Sequence, residues 1–179
     1  MREAFGKSGP AWTADNVHRL YTRVAPGFIR VDADEVTYPA HILVRYRVEK
    51  ALIAGDLALP DLPAAFNEGV HRLLGLTVPN DRLGCLQDIH WYDGAWGYFP
   101  TYTLGALIAA QLFAALRQAL PDIADQIGRG EFAAVFAWLR EHVHGKGSLL
   151  PTADLVQQAT GTPLGTAAFE RHLRERYLE

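Results

Sequence analysis

The chain has 179 residues, of which 49% are hydrophobic and 21% are charged, the composition of an ordinary globular domain. This composition excludes a mainly disordered chain, because so many apolar residues can offset the entropy lost on folding. The net charge of −3, without a basic cluster, argues against a nucleic-acid partner, and the single cysteine excludes an internal disulfide.

The first half of the chain is predicted to form helices over residues 13–24, 34–54 and 62–74, where apolar residues recur every three or four positions. Residues 42–49 also fit a strand, since apolar and charged residues alternate there. A run of about twenty residues is long for a strand, and Val44, Val48 and Leu52 have helical spacing, so we predict a helix. The boundary signals are the capping residues Thr13 and Asp34 and the stop residues Gly55 and Gly75.

The second half begins after an irregular stretch from residue 78 to about 100. A helix over about 101–120 is apolar nearly all round, which predicts a central position in the core. Further helices are predicted over 131–144, 152–160 and 166–178. The helix over 131–144 is expected to have one apolar face, made of Phe132, Val135, Phe136, Leu139 and Val143. No repeat or linker interrupts the pattern, so we predict a single all-α unit over residues 1–179.

The apolar runs are too short to cross a membrane. The longest, residues 104–116, falls short of the roughly twenty residues required. The N-terminal residues lack the apolar stretch of a signal peptide. We therefore expect a soluble, cytoplasmic protein without a membrane partner.

Residues 84–102 concentrate the side chains that can carry chemistry. Six aromatic residues fall within the twelve positions from Trp91 to Tyr102, directly after Gln87, Asp88 and His90. A loop with so many large side chains must be packed, and packed loops that lead into a helix often hold binding and catalytic groups. The alternative is that Asp88 and His90 only satisfy backbone groups in a packed corner. Cys85 fits a small buried hydrophobe better than a nucleophile.

A second polar stretch begins at Arg30. Arg30 precedes three carboxylates, Asp32, Asp34 and Glu35, at the start of a predicted helix. Asp34 can simply cap that helix, and Glu35 can complement its dipole. Arg30 alternatively offers a planar fork for a carboxylate ligand.

These two stretches make the chain resemble the C-terminal part of the thermostable zinc carboxypeptidases, the family named for Taq carboxypeptidase. The family motif Ile/Val-Arg-x-x-Ala-Asp is matched by Ile29, Arg30, Ala33 and Asp34. The motif Gly-x-x-Gln-Asp-x-His-Trp is matched by Gly84, Gln87, Asp88, His90 and Trp91. The resemblance runs from about Ala11 to the end of the chain.

The resemblance implies a helical portion of a gluzincin-like metallopeptidase fold whose zinc site lies N-terminal to the part represented here. The sequence has no His-Glu-x-x-His motif, and none of its seven histidines is followed by glutamate. We therefore expect no metal bound by this chain and no peptide hydrolysis by the chain alone. Were it to bind zinc by itself, the ligands would come from His41, His90, Asp88 and Glu35.

The resemblance also implies roles for seven side chains. Arg30 would bind the free C-terminal carboxylate of the peptide substrate. His90 would donate a hydrogen bond near the scissile carbonyl, and Tyr102, or alternatively Tyr98, would donate to the tetrahedral oxyanion. Gln87 and Asp88 would orient His90, and Trp91 would line the same cleft.

The predicted function is thus the C-terminal part of a zinc-dependent, or other divalent-metal-dependent, carboxypeptidase. Its partners would be a peptide with a free C-terminus, a missing N-terminal half and a second copy in a homo-oligomer, for which the family suggests a dimer. The alternative is a non-catalytic helical module that pairs with a separate N-terminal half or another protein. A further possibility is a truncated fragment, which would expose large apolar patches.

Overall fold

The computed structural model describes Gly6 and residues 9–178, and in that part of the chain the regular structure is helical, with no strand. The predicted all-α class is confirmed for these residues. Their α-helices are α1 (Ala14–Tyr21), α2 (Tyr38–Ala54), α3 (Leu62–Leu74), α4 (Pro100–Ala119), α5 (Ile123–Gly128), α6 (Ala133–His142), α7 (Thr152–Thr160) and α8 (Ala167–Tyr177). Short 3-10 turns lie at Pro10–Trp12, Arg30–Asp32, Leu59–Asp61 and His144–Lys146.

The chain divides into two compact units, Met1–Tyr102 and Thr103–Glu179, and the boundary falls in the first turn of α4. Each unit has its own cluster of buried apolar side chains. The expectation of one all-α unit over residues 1–179 stays a prediction, because packing inside each unit does not decide whether the two fold together.

The start of α1 agrees with the sequence, and its end does not. The Thr13 side chain accepts a hydrogen bond from the backbone N–H of Asn16 (3.2 Å), as expected of a helix cap. The helix ends at Tyr21 instead of Val24, and the Thr22 hydroxyl donates to the carbonyl of His18 (2.9 Å). Side-chain bonding of this kind competes with continuation of the helix.

The start of α2 lies four residues later than predicted. Asp34 accepts the backbone N–H groups of Val36 (3.0 Å) and Thr37 (2.9 Å), so it closes a turn before the helix instead of capping it. Its other oxygen accepts the N–H of Ala25 (2.9 Å), and these bonds to the charged form lower the pKa of Asp34 although burial raises it. Pro39 then occupies the first turn, where its missing N–H costs nothing.

The core of the first unit forms where α2 packs on α3. Val44 and Val48 of α2 are buried together with Phe66 and Val70 of α3. The predicted helix is therefore correct over Tyr38–Ala54 and the strand alternative is wrong, since α2 buries a helical stripe. Cys85 is buried in the same cluster, as expected of a small hydrophobe. α3 has the predicted bounds, and Gly55 and Gly75 end α2 and α3 with positive φ angles.

The second unit has its core at Leu116, Ile123 and Trp138. The short helix α5 was not predicted. α6 buries Trp138, and Val135 and Leu139 pack against the cluster that Trp138 forms with Leu116 and Ile123, whereas Phe132 and Phe136 are about half exposed. The predicted apolar face of this helix is thus wrong for the two phenylalanines, which lie away from the side that packs on this cluster.

Helix α4 is less buried than its composition predicts. Along it only Gln111 and Leu116 are fully buried, and Leu104 and Phe113 are exposed. The expectation of a central core helix is therefore wrong for the described residues, since an apolar helix is buried only where other elements cover it. The described residues form no helix that is both long and apolar enough to span a membrane.

Candidate active site

Gln87 fixes the beginning of the irregular loop against the segment that carries Arg30. Its side-chain oxygen accepts the backbone N–H of Arg30 (2.8 Å). Its amide nitrogen donates to the carbonyls of Phe28 (3.1 Å), Leu83 (3.1 Å) and Gly84 (3.0 Å). Arg30 and Phe28 lie 57 and 59 residues before Gln87, whereas Leu83 and Gly84 belong to its own segment. Gln87 therefore joins the two motif-bearing segments.

The Arg30 guanidinium is 5% exposed and bonds to the loop. Its Nε and Nη2 atoms donate to one oxygen of Asp88 at 2.9 and 2.7 Å, and Nη1 donates to the Tyr38 hydroxyl at 2.7 Å. The guanidinium also lies 5.0 Å from the centre of the Tyr102 ring. A guanidinium has five N–H donors, so two are left for a ligand.

A second arginine, Arg45 of α2, binds the other oxygen of Asp88 and was missed by sequence reasoning. Its Nε donates to Asp88 at 2.6 Å, and Nη2 lies 2.6 Å from the same oxygen. Nη1 donates to the carbonyl of His41 (2.9 Å). The residue is 1% exposed, and its guanidinium lies over the rings of Phe66 (5.2 Å) and Phe99 (5.5 Å).

The two arginines and Asp88 hold one another in their charged forms. Burial raises the pKa of Asp88, but the hydrogen bonds and charges of both arginines outweigh it and lower that pKa. Burial lowers the pKa of Arg45, and its bonds to Asp88 only partly compensate. Arg30 is less deeply buried, so the effect of Asp88 prevails and its pKa is raised. A buried charge cluster of this kind carries one net positive charge.

His41 lies beside this cluster and is 1% exposed. Burial, together with the charges of Arg45 and Arg30, lowers the pKa of His41 to about 4. The ring is therefore neutral at pH 7. Among the described residues neither ring nitrogen forms a hydrogen bond of ordinary geometry, and the nearby backbone of Gly27 raises the pKa only slightly against these effects.

His90 and Tyr102 form the second part of the site. The Nε2 atom of His90 lies 2.9 Å from the Tyr102 hydroxyl, so the two side chains share a hydrogen bond. The His90 ring stacks on the buried ring of Phe99, with centroids 4.4 Å apart, and this packing fixes its plane. Tyr98 contacts both members of the pair, with ring centroids 5.8 Å from His90 and 5.4 Å from Tyr102.

Tyr102 keeps its proton at neutral pH. Burial, together with Tyr98, Tyr38 and Asp88, raises its pKa above the ordinary value near 10, and the Arg30 charge offsets only part of that effect. A neutral phenol that is partly open to solvent can donate a hydrogen bond to a developing oxyanion.

Trp91 completes the set of predicted residues. Its ring meets Phe99 edge-on at 5.8 Å and stacks on Trp96 at 6.1 Å. Its indole N–H donates to a carboxylate oxygen of Glu49 (2.8 Å), a residue of α2. Glu49 was not identified from the sequence.

The structure thus brings all seven sequence-predicted residues into one cluster of contacts in the first unit, and it corrects one expectation. The hydrogen bonds of Asp88 go to Arg30 and Arg45, and those of Gln87 go to backbone groups, so neither orients His90. Packing on Phe99 does so instead. The missed residues Arg45 and Glu49 had a signal, because they stand four residues apart, in register with His41, and share the buried face of α2.

The described residues do not fit a metal ion. No three of their histidine, cysteine, aspartate and glutamate side chains come close enough together to coordinate one. Two of the possible ligands named from the sequence form hydrogen bonds to other side chains. Asp88 is bound by two arginines, and His90 is bound by Tyr102.

Comparison with known proteins finds one matching family and several relatives. The family described as Carboxypeptidase Taq (M32) metallopeptidase matches residues 1–177. The chain is 40% identical over 167 residues to thermostable carboxypeptidase 1 of Pyrococcus furiosus, covering 93% of this chain and 34% of that protein. It is 40% identical over 163 residues to carboxypeptidase 1 of Bacillus subtilis, covering 91% of this chain and 32% of that protein.

Solved structures agree with this relationship. Metallocarboxypeptidase 1 of Trypanosoma cruzi matches 99% of this chain with a TM-score of 0.95 and 43% identity, over 37% of its own length. The M32 carboxypeptidase of Deinococcus radiodurans matches 98% of this chain with a TM-score of 0.93 and 36% identity, over 36% of its length. The chain therefore spans about a third of the length of the relatives it matches.

Proposed function

The chain belongs to the Carboxypeptidase Taq (M32) metallopeptidase family, and we propose that it forms the C-terminal part of a zinc-dependent carboxypeptidase that removes C-terminal residues from peptides. In this proposal the metal ligands and the water-activating glutamate come from a separate N-terminal portion. The present chain supplies groups that bind the substrate and stabilise the transition state.

The observation that carries the proposal is the hydrogen-bonded pair of His90 and Tyr102. The Tyr102 phenol is neutral and partly exposed, so it can donate to the oxygen that becomes negative when the peptide carbonyl is attacked. One such donor is commonly worth about 2.7–4 kcal/mol of the activation barrier. When the Nε2–H of His90 donates to the phenol oxygen, the Tyr102 proton is left for the oxyanion. His90 would donate near the same carbonyl only when this bond opens, and Tyr98 is the neighbouring phenol able to take the role of Tyr102.

Arg30 would recognise the free carboxylate that defines the C-terminus of the substrate. Asp88 and Tyr38 fix three of its N–H groups, which orients the guanidinium and leaves two donors. A hydrogen bond to a charged group contributes about 1.5–3 kcal/mol, which suffices to discriminate a free from a blocked C-terminus. Gln87 and Asp88 support Arg30 in this role, and Trp91 packs on Phe99, the ring on which His90 also stacks.

The test of the catalytic role is a complementation assay, in which this chain is co-expressed with the N-terminal portion of a family member that carries the His-Glu-x-x-His motif. Release of the last residue from an N-blocked dipeptide is measured with zinc present. Tyr102→Phe should lower kcat at least tenfold with little change in KM, because the lost bond forms only in the transition state. The exposed Tyr92→Phe is the matched control, and an unchanged kcat for Tyr102→Phe would remove this residue from the oxyanion role.

The same assay tests Arg30. Arg30→Ala should reduce kcat/KM for a peptide with a free C-terminus by at least tenfold more than for its amidated counterpart. Equal losses on both peptides would mean that Arg30 only supports the fold.

The complementation assay also separates the proposal from its alternative. A stable complex without peptide release would favour a non-catalytic helical module that pairs with the N-terminal portion. Release by the present chain alone, with stoichiometric zinc, would contradict the division of the site between two portions. A homo-oligomer and a cytoplasmic location stay predictions.

A further inference from the structure

We propose that Glu49 is the positioning residue that fixes His90 and Tyr98, an inference that rests on the proposed function for its catalytic consequence. The carboxylate of Glu49 holds two points of the loop. One oxygen accepts the indole N–H of Trp91 (2.8 Å), and the other accepts the backbone N–H of Gly97. Trp91 directly follows His90, and Gly97 directly precedes Tyr98.

The loop between these two points is closed and internally bonded. The backbone N–H of Asp93 donates to the carbonyl of Ile89 (2.9 Å), and that of Ala95 donates to the carbonyl of His90 (2.8 Å). Gly97 has a φ angle of +78°, a conformation that only glycine adopts readily. Glu49 therefore holds both ends of a compact turn, and each end is one peptide unit away from a site residue.

Burying the carboxylate of Glu49 is energetically unfavourable, because the group loses its hydration. The residue is 4% exposed and, among the described residues, its carboxylate forms no ion pair. The nearby Arg45, one turn earlier on α2, is committed to Asp88. A buried carboxylate that accepts hydrogen bonds from two neutral N–H donors lowers the free energy of unfolding relative to an apolar residue. A contribution to stability therefore does not explain why a glutamate stands at this position.

The contacts of Glu49 with Trp91 and Gly97 come from a rigid element, the helix α2. Arg45 and Glu49 are four residues apart on the buried face of this helix. Arg45 reaches Asp88 at the beginning of the loop, and Glu49 reaches Trp91 and Gly97 farther along it. One helix thus sets the position of the loop on both sides of His90.

Glu49→Gln is the direct test, because it keeps the volume of the side chain and turns one acceptor into a donor. An amide NH₂ would face either the indole N–H of Trp91 or the backbone N–H of Gly97, and two donors cannot bond to each other. The surface substitution Glu68→Gln on α3 is the matched control. Trp91→Phe in the Glu49→Gln background removes the indole donor, so the amide oxygen can serve Gly97 without conflict.

The first readout is nuclear magnetic resonance of the 179-residue chain and does not depend on activity. In Glu49→Gln the indole N–H resonance of Trp91 and the ring resonances of His90 should both move, whereas Glu68→Gln should leave them in place. In the double variant the backbone N–H resonance of Gly97 and the ring resonances of Tyr98 should return toward their original positions, because the amide oxygen again accepts the N–H of Gly97. Unmoved His90 resonances in Glu49→Gln would overturn the proposal. If that variant does not fold, Glu49→Asp, which keeps the charge and shortens the side chain, must move them.

The second readout is kcat in the complementation assay. Glu49→Gln should lower kcat at least tenfold with KM changed less than threefold, whereas Glu68→Gln should leave both unchanged. An unchanged kcat with displaced His90 resonances would overturn the positioning role in catalysis. If the unmodified chain releases no product, the proposed function fails, and the resonances still decide whether Glu49 positions His90.

Discussion

Removing the negative charge of Asp88 should strongly destabilise the first unit. Asp88 bonds to Arg30 through one oxygen and to Arg45 through the other, and both arginines are buried. Asp88→Asn keeps the shape of the side chain and removes the charge between two cations. Leaving a buried charge without its partner typically costs about 3–5 kcal/mol, and here two cations lose the same partner.

The assay is urea unfolding of the chain, followed by tryptophan fluorescence. With a slope of about 2 kcal/mol per molar urea, a loss of about 4 kcal/mol lowers the unfolding midpoint by about 2 M. Asp81→Asn, at an exposed position of the same unit, is the matched control and should shift the midpoint little. A shift for Asp88→Asn no larger than that of the control would refute the reasoning.

A double-mutant cycle and a pH series show whether Asp88→Asn lowers the free energy of unfolding through the lost charge or through an altered fit of the side chain. Arg45→Met removes one of the two cations, so Asp88→Asn should cost at least about 1 kcal/mol less in that background than alone. The folded pKa of Asp88 lies below its unfolded value of about 3.9, so its stabilising effect is present above that pH and is lost as the pH falls below it. Asp88→Asn should therefore lack this part of the acid dependence.

Two other side chains give independent predictions. His41 has a folded pKa of about 4, whereas its unfolded pKa is near 6.5. As the pH falls, the unfolded chain therefore binds this proton before the folded chain does. The free energy of unfolding should decrease by about 3 kcal/mol between pH 6.5 and pH 4. Urea titrations at several pH values should show this loss reduced in His41→Gln but not in the exposed His18→Gln, and equal curves would contradict the assignment. In the second unit, the buried amide nitrogen of Gln111 donates to oxygens of Thr160, Thr162 and Pro163, and its oxygen accepts the N–H of Gly165. Gln111→Met should lower the free energy of unfolding by about 1–3 kcal/mol, compared by thermal melts with the exposed Gln118→Met on the same helix, and equal melting temperatures for the two variants would refute it.

The sequence by itself determined the helical class and several helix bounds. α3 ends at Gly75 and α7 spans Thr152–Thr160 as predicted, because the apolar period and the stop residues are local signals. The motif residues from Gln87 to Trp91 also identified the family correctly. Each of these inferences depends on residues within one or two turns of each other.

Burial was predicted less well from the same signals. α4 is apolar nearly all round, yet Leu104 and Phe113 are exposed, and α6 leaves Phe132 and Phe136 about half exposed. Composition reports which residues can be buried, but the neighbouring elements decide which side of a helix is covered.

Only the tertiary structure decided which polar groups bond to one another. Asp88 was expected to orient His90, its near neighbour in the sequence, and instead it binds Arg30 and Arg45, which lie 58 and 43 residues away along the chain. Glu49 likewise contacts Trp91 and Gly97 across more than forty residues. A buried charge takes the partner that best offsets its lost hydration, and the packing of α2 against the loop determines which partner is within reach.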